Sequence, residues 1–209
     1  MTTKLAVVLL ATAVLADGGL VSAQETVTPK TLVWCGLDYS RVKMIGTKDF
    51  RNPAGIFPGM PEAWNTMFVN EALPRLKKDV PEVLTSTETV QPGNAKLTAD
   101  CIIRQDGSEA EMVQPTHITQ QDIAATVKAY DIKYKQGLGL VFIMDRLVKS
   151  EKTGCMYVVF FDIATRKVVL SERRCESAFG GGFRNYWFAP AKRAAKDLPE
   201  MYEKAKAAK

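Results

Sequence analysis

Two strand-like runs joined by a short turn near the C-terminal end constrain the fold most. The runs are Cys155–Ile163 and Lys167–Cys175, and they flank Ala164-Thr165-Arg166. Strand-forming segments separated by three to five residues are typical of a β-hairpin. The pattern predicts an antiparallel hairpin whose loop is a type I turn followed by one left-handed residue, here Arg166.

The register of this hairpin brings two cysteines together. Centring the turn on Thr165 pairs Phe161 with Val169 and Cys155 with Cys175. Directly opposed residues have Cβ atoms about 4.5–5.5 Å apart, close to the separation that a disulfide needs. We therefore predict a Cys155–Cys175 disulfide. Two buried free thiols, or a register slipped by one residue, are the alternatives.

Two further cysteines, Cys35 and Cys101, lie on predicted strands, and they either form a second disulfide or stay free. The chain has no Cys-x-x-Cys motif, no closely spaced ligand pair and one histidine. These spacings argue against a dithiol redox enzyme and a zinc site. We expect no metal and no other cofactor.

The N-terminal segment predicts export. Lys4 precedes the apolar run Leu5–Ala16, and Val21-Ser22-Ala23 supplies the small residues of a cleavage site before Gln24. Residues 1–23 are read as a signal peptide and 24–30 as a disordered leader. A buried helix or a membrane anchor is the alternative, but the run is shorter than the roughly 20 residues that span a bilayer. Cys35 lies too far downstream for lipid attachment.

Residues 31–209 are predicted to form one α/β (α+β) domain. Strands are expected at Thr31–Tyr39, Ala99–Gln105 and Leu138–Val148, with a strand or loop over residues 84–94. Helices are expected to begin at Pro61, at the N-cap Thr119 and at Asn185. Pro74 makes the first helix less regular and Pro81 ends it. This order predicts a mixed sheet covered by helices, with the antiparallel hairpin in its C-terminal half.

Charge restricts the class of partner. The net charge is +5, which favours anionic surfaces only weakly. No run of Lys and Arg with interleaved aromatic residues is present, so we expect no nucleic-acid partner. After signal cleavage we expect no transmembrane segment, and a periplasmic or secreted location.

The glycine-rich segment before the last helix is a weak candidate ligand site. Gly180, Gly181 and Gly182 precede Arg184 and Asn185, and backbone N–H groups at such a helix start can bind an anion. The segment does not match a known phosphate-binding motif. The alternative is that the glycines let the chain cross tightly while Tyr186, Trp187 and Phe188 fill the core.

No catalytic set is predicted. A Ser-His-Asp arrangement would have to use His117, and no Gly-x-Ser-x-Gly motif accompanies it. Asp38, Asp100 and Asp145 lie on or beside strands and could converge as paired acids. Strand alternation would send Asp145 and Arg146 to opposite faces, so the two are not expected to pair.

Two segments carry a family resemblance. Val158–Val169 and Gly180–Trp187 resemble a group of uncharacterised exported bacterial proteins, itself distantly similar to periplasmic α/β domains of the TolB amino-terminal and curli-secretion type. The resemblance implies an α/β envelope protein that binds other proteins or assembles, and it supplies no catalytic residue. Lipoprotein members of such groups carry a lipid-attachment cysteine, which this chain lacks.

The expected function is therefore that of an exported, non-enzymatic interaction or assembly module whose partners are other envelope proteins. The alternative is a periplasmic small-ligand-binding protein or hydrolase that uses the loop Gly180–Gly182 with Arg184. An enzymatic role is not settled by the sequence, which leans against one.

Overall fold

The computed structural model describes residues 27–28, 31–46, 50–103 and 116–208. The predicted signal peptide, residues 1–23, lies outside the described residues. The predicted leader, residues 24–30, is described only at Val27 and Thr28.

The described residues form seven strands and six α-helices. The strands are β1 Leu32–Asp38, β2 Lys43–Ile45, β3 Val83–Thr85, β4 Ile102–Ile103, β5 Leu138–Val148, β6 Thr153–Asp162 and β7 Val168–Ser177. The helices are α1 Gly59–Met67, α2 Leu73–Asp79, α3 Gln91–Asn94, α4 Gln120–Ala129, α5 Gly182–Ala194 and α6 Leu198–Ala208.

These strands form one mixed sheet centred on β5. The first half of β5 pairs in parallel with β1, which pairs in parallel with β3. The end of β5 pairs in parallel with β2, which pairs in parallel with β4. On its other side β5 pairs antiparallel with β6, and β6 with β7. The predicted α/β class, a sheet combined with helices, is confirmed.

Two apolar layers cover the two faces of the sheet. On one face Trp34, Phe142 and Phe160 pack with residues of α1, α2, α5 and α6. On the other face Val141 and Val159 pack with residues of α4. β5 is buried along its whole length, which explains its uninterrupted apolar sequence, because a central strand covered on both faces has no solvent side. Each fully buried large apolar side chain contributes roughly 1.5–3 kcal/mol.

The first helical segment contains a π-helical turn. α1 ends at Met67, Phe68–Ala72 forms the π-helical turn, and α2 follows. Pro74 then lies in the first turn of α2. A backbone N–H at this position would have no partner within the helix, so its absence from proline costs no hydrogen bond. The extra residue of the π turn thus lets the helix continue past a proline that would otherwise break it.

Two expected strands are shorter than the sequence suggested. The segment 84–94 contributes only the end of β3 before it enters a 3₁₀ turn at Thr87–Thr89 and α3. For Ala99–Gln105, the first three residues form a 3₁₀ turn capped by the Thr98 side chain, and β4 has two residues. Arg104 and Gln105 lie outside the described residues. The hydrogen bond from the Asp100 N–H to the Thr98 side chain favours a 3₁₀ turn here, so the strand that the β-branched residues predicted begins only at Ile102.

Strands β6 and β7 place the cysteines Cys155 and Cys175 opposite each other, with Cα atoms 4.0 Å apart and the two sulfurs bonded. Arg166 adopts the left-handed conformation expected of it, with a φ of 59°. One expected pairing is wrong: Phe161 lies opposite Val168, because the register shifts by one residue after Phe160.

Cys35 and Cys101 do not form a second disulfide; both thiols are free and buried. Cys35 belongs to the apolar layer beneath α4, whereas Cys101 belongs to the layer on the opposite face. The sheet therefore separates the two sulfurs. Burial raises the pKa of the Cys35 thiol to about 12, so this thiol stays protonated and unreactive near neutral pH.

Across the described residues, no helix combines the length and the apolar character that crossing a membrane requires.

Candidate functional site

A cleft opens at the carboxyl ends of β1 and β3 because β3 stops early. β3 pairs with Leu32–Trp34 only, and the chain turns away after Ser86, whose N–H donates to the Trp34 carbonyl at 2.8 Å. β1 continues to Asp38. The last residues of β1 thus have no neighbouring strand on this side.

Two buried asparagines take the place of the missing strand. The Asn65 Oδ1 accepts from the Leu37 N–H at 2.7 Å and its Nδ2 donates to the Leu37 carbonyl at 3.0 Å. The Asn94 Oδ1 accepts from the Tyr39 N–H at 2.7 Å, and its Nδ2 donates to the Leu37 carbonyl at 2.9 Å. The buried backbone is therefore satisfied, and the cleft keeps its shape without a strand in it.

Gly36 makes the close approach of Asn65 feasible. Gly36 has a φ of +118° and lies where the register between β1 and β5 shifts. A Cβ atom here would lie 2.8 Å from the Asn65 Oδ1 and 2.7 Å from a Val90 methyl carbon. Glycine is thus required for both the conformation and the contact.

Cleft walls combine hydrogen-bonding and apolar side chains around a volume of about 480 Å³, within the range of small-molecule sites. The lining residues are Pro58, Glu62, Asn65, Thr66, Val69, Thr85, Thr87, Gln91, Asn94 and Ala95. Glu62 is the single charged side chain among them. Thr66, Thr85, Thr87 and Gln91 make no side-chain hydrogen bond in the described part of the chain, so their capacity is open to a ligand.

The position of the cleft follows a general rule of α/β sheets. β3 lies beside β1 at the end of the sheet, and both strands point their carboxyl ends toward the cleft. In open α/β sheets, ligands bind outside the carboxyl ends of the strands, and the cleft lies at this edge. Sequence reasoning missed this site. The signal for it was the polar run Thr85-Ser86-Thr87, which begins at the last residue of β3.

A second polar cluster forms around Asp145, where β5 carries a β-bulge. Met144 pairs with Met156 and Arg146 with Cys155, so Asp145 has no partner on β6. The expectation that Asp145 and Arg146 lie on opposite faces is wrong, because the bulge interrupts the alternation. The Arg146 Nε lies 3.2 Å from the Asp145 Oδ2, and the Arg173 Nη2 lies 2.9 Å from it.

His117 joins this cluster through its Nδ1 atom. The Nη2 atoms of Arg146 and Arg173 lie 2.6 Å and 3.3 Å from Nδ1. The Nδ1 atom also lies 3.1 Å from the Asp145 Oδ2, so it faces two guanidinium groups and a carboxylate. The side chain is 54% exposed, and among the described residues no serine, threonine or cysteine hydroxyl or thiol contacts the ring. The arrangement lacks the nucleophile of a catalytic triad.

Asp145 stays ionised in this setting. Burial raises the pKa of its carboxyl, but the hydrogen bonds with Arg173 and His117 and the charge of Arg146 outweigh burial, and the pKa lies below its ordinary value. The cluster holds one carboxylate between two guanidinium groups, which ties the residues before α4 to β5 and β7. Its geometry is that of an ionic lock.

The three aspartates that could have formed paired acids do not meet. The Asp38 carboxylate accepts from the Tyr130 hydroxyl at 2.5 Å and from the Ser40 N–H at 2.8 Å. Asp100 is exposed and accepts from the Thr98 hydroxyl at 2.9 Å. Each carboxylate is held by a different set of partners, so no acid pair for glycoside hydrolysis is assembled.

The glycine-rich segment lies at the start of α5, with Gly181 as the N-cap. Gly180, Gly181 and Gly182 are exposed, as are Arg184 and Asn185. The Arg184 carbonyl accepts from the Trp64 Nε1 at 2.8 Å, so this turn packs against α1. None of the five residues lines the cleft, and Asp145 lies on the opposite face of the sheet. Their role in ligand binding stays a prediction.

Comparisons with known proteins give no relative. No family model, no curated protein and no solved structure matches the chain. The resemblance carried by Val158–Val169 and Gly180–Trp187 therefore stays a prediction. Within the described residues, no group of three or more His, Cys, Asp or Glu side chains could hold a metal ion.

Proposed function

We propose that this chain is an exported binding protein without catalytic activity, and that it binds a small uncharged, hydroxyl-bearing molecule in the cleft between β1 and β3. The observation that carries the proposal is a preformed cleft of about 480 Å³ in which the side-chain polar groups of Thr66, Thr85, Thr87 and Gln91 have no partner in the described part of the chain. The cleft lies where ligands bind in α/β sheets.

The lining defines the ligand class. Thr66, Thr85, Thr87 and Gln91 offer both donors and acceptors, as a sugar hydroxyl requires. Pro58, Val69 and Ala95 supply the apolar wall against which the carbon face of a sugar ring can pack. None of the described residues that line the cleft is cationic, which disfavours an anionic ligand. A monosaccharide or disaccharide fits this combination.

Export is supported by two features. The N-terminal segment has the pattern of a signal peptide, and Cys155 and Cys175 lie at disulfide distance. Disulfides persist outside the reducing cytoplasm. Sequencing the N-terminus of the protein recovered from a periplasmic or secreted fraction tests the proposal; a first residue of Gln24 is expected, and an intact Met1 would contradict it.

A second candidate function, an assembly module for envelope proteins, is favoured by β7. Among the described strands β7 pairs only with β6, so one edge of a ten-residue strand is open to an added strand. Charged residues at Glu172, Arg173 and Arg174 discourage indiscriminate pairing at such an edge. Phe179, 53% exposed, is the sole exposed large apolar side chain among the described residues. These residues therefore form no broad apolar patch on which a partner could dock.

The ligand proposal is tested by calorimetric titration with a panel of neutral monosaccharides and disaccharides. We expect at least one to bind, and the double variant Thr87→Val/Gln91→Ala to weaken its affinity by about tenfold, because each hydrogen bond contributes roughly 0.5–1.5 kcal/mol.

Gln121→Ala is the matched control, since Gln121 is exposed on α4 at the other face of the sheet. Its affinity should equal that of the wild type. Failure of every neutral sugar to bind, or equal binding by the double variant, would reject the cleft as the site.

A further inference from the structure

A second cavity lies beyond the segment that borders the cleft. Its volume is about 330 Å³, and its walls come from the loop after β1 and from residues 93–101. Residues 91–97 thus border both cavities, with Gln91 and Asn94 facing the neutral cleft and Gly93 and Lys96 facing the second cavity. Gly93 keeps the two walls close, because a Cβ there would lie 3.1 Å from the Ser40 Cβ.

Charge distinguishes this basic pocket from the neutral cleft. Arg41, Lys43 and Lys96 line it, against one carboxylate, that of Asp100. Asp100 accepts from the Thr98 hydroxyl and forms no ion pair with a described residue. The lining side chains carry three positive charges and one negative charge; because Arg41 is paired with Asp122, a surplus of one positive charge remains, and it favours an anion.

Two of the three cations are available to a ligand. Arg41 is already engaged, since its Nη1 lies 3.1 Å from an Asp122 oxygen and its Nε donates to the Thr126 hydroxyl. Lys43 and Lys96 are exposed and have no carboxylate partner in the described part of the chain. An ammonium group with free donors is suited to a phosphate or carboxylate.

The fold fixes where Lys43 presents its charge. Lys43 begins β2 and pairs with Arg146 of β5. The Cys101 thiol lines the same pocket; burial raises its pKa to about 11, while the nearby charge of Lys43 acts in the lowering direction. Lys43 and Cys101 thus line one pocket, and the charge of Lys43 acts on the Cys101 thiol.

We infer that the basic pocket binds a small molecule through an anionic group, with Lys43 and Lys96 as the paired contacts and a phosphate group as the best match. The volume exceeds that of a phosphate ion and leaves room for the organic part of the molecule. This inference stands independently of the sugar proposal, since it rests on a different cavity and on different residues.

The experiment is an NMR titration of the backbone amides with inorganic phosphate, with chloride used to hold the ionic strength constant. We expect saturable shifts at the amides of Lys43, Gly93 and Lys96. The variant Lys43→Gln/Lys96→Gln should weaken phosphate binding by about tenfold or more, because charge-assisted contacts are lost.

Lys77→Gln/Lys78→Gln is the matched control, because it removes the same net charge from exposed positions on α2. It should bind phosphate as the wild type does. Linear shifts without saturation, or equal weakening by both double variants, would overturn the inference and leave only a nonspecific charge effect.

Two further arms separate the sources of the signal. Vesicles of phosphatidylglycerol are tested beside inorganic phosphate, and Lys43-dependent binding to vesicles alone would replace the small molecule with a lipid surface and overturn the inference. Thr87→Val/Gln91→Ala should keep full phosphate binding. If Thr87→Val/Gln91→Ala loses sugar binding and keeps phosphate binding, the sugar site is in the cleft. If Lys43→Gln/Lys96→Gln loses phosphate binding and keeps sugar binding, the phosphate site is in the basic pocket.

Discussion

Asp145 shows how one residue position determines a local structure. As the unpaired residue of the β-bulge, it turns its carboxylate toward Arg146, which would otherwise face away. The side chains of Asp145 and Arg146 are 2% and 7% exposed, so both charges are largely withdrawn from water. Removing the Asp145 carboxylate takes away the negative charge that both Arg146 and Arg173 face, which is costly at a buried site.

Asp145→Asn should lower the free energy of unfolding at pH 7 by about 3 kcal/mol for that reason. The pKa of Asp145 is lowered in the folded state, so its contribution is present above the ordinary pKa and is lost as pH falls through the folded pKa. The gap between wild type and variant should narrow below about pH 4. Urea denaturation across pH measures it.

Asp100→Asn is the control for this comparison, since Asp100 is exposed and accepts from Thr98 alone among side chains. It should change the free energy of unfolding by less than about 0.5 kcal/mol. Equal effects of the two substitutions would show that the Asp145 cluster contributes nothing to stability.

At the scale of elements, the sequence predicted what depends on local apolar pattern. β5 and α4 lie where the sequence indicated, the latter with the capping box of Thr119 and Asp122. The sequence could not predict where β3 ends, because that depends on how Asn65 and Asn94 meet β1 from distant positions. The bulge at Asp145 was missed for a similar reason: alternation is a rule for unbroken strands.

Gly36→Ala tests the element that shapes the cleft. A Cβ at a φ of +118° is strained, and it would lie 2.8 Å from the Asn65 Oδ1. We expect a loss of about 3 kcal/mol in stability, from backbone strain together with a weakened hydrogen bond to Leu37. Chemical denaturation measures the loss.

Gly59→Ala provides the comparison, because a Cβ at Gly59 meets nothing within 4 Å and alanine favours a helix by up to about 1 kcal/mol. Its stability should equal or exceed that of the wild type. A Gly36→Ala variant as stable as Gly59→Ala would mean that Asn65 does not need this close approach.

At the scale of the whole molecule, the Cys155–Cys175 disulfide links the two strands at the far side of the sheet. The cysteines are separated by 20 residues in sequence, and closing a loop of this size in the unfolded chain stabilises the folded state by roughly 3 kcal/mol. β6 pairs with β7, and both strands contact α5. The disulfide therefore limits fraying of β7, the strand that has an open edge.

Reduction of the wild type should therefore lower its midpoint of thermal unfolding, and Cys155→Ala/Cys175→Ala should show the same lowering with no further response to reductant. Scanning calorimetry with and without a thiol reductant measures both. A midpoint that is indifferent to reductant would mean that the link does not form in solution.

The hydrogen bonds of Asn65 and Asn94 also bear on how the protein ages. Asparagine is among the thermolabile residues, and loss of its amide nitrogen would replace an N–H donor to the Leu37 carbonyl with a carboxylate oxygen. Two oxygens would then repel each other at the end of β1. Slow deamidation at either position would thus destabilise the end of β1 that these asparagines hold in place.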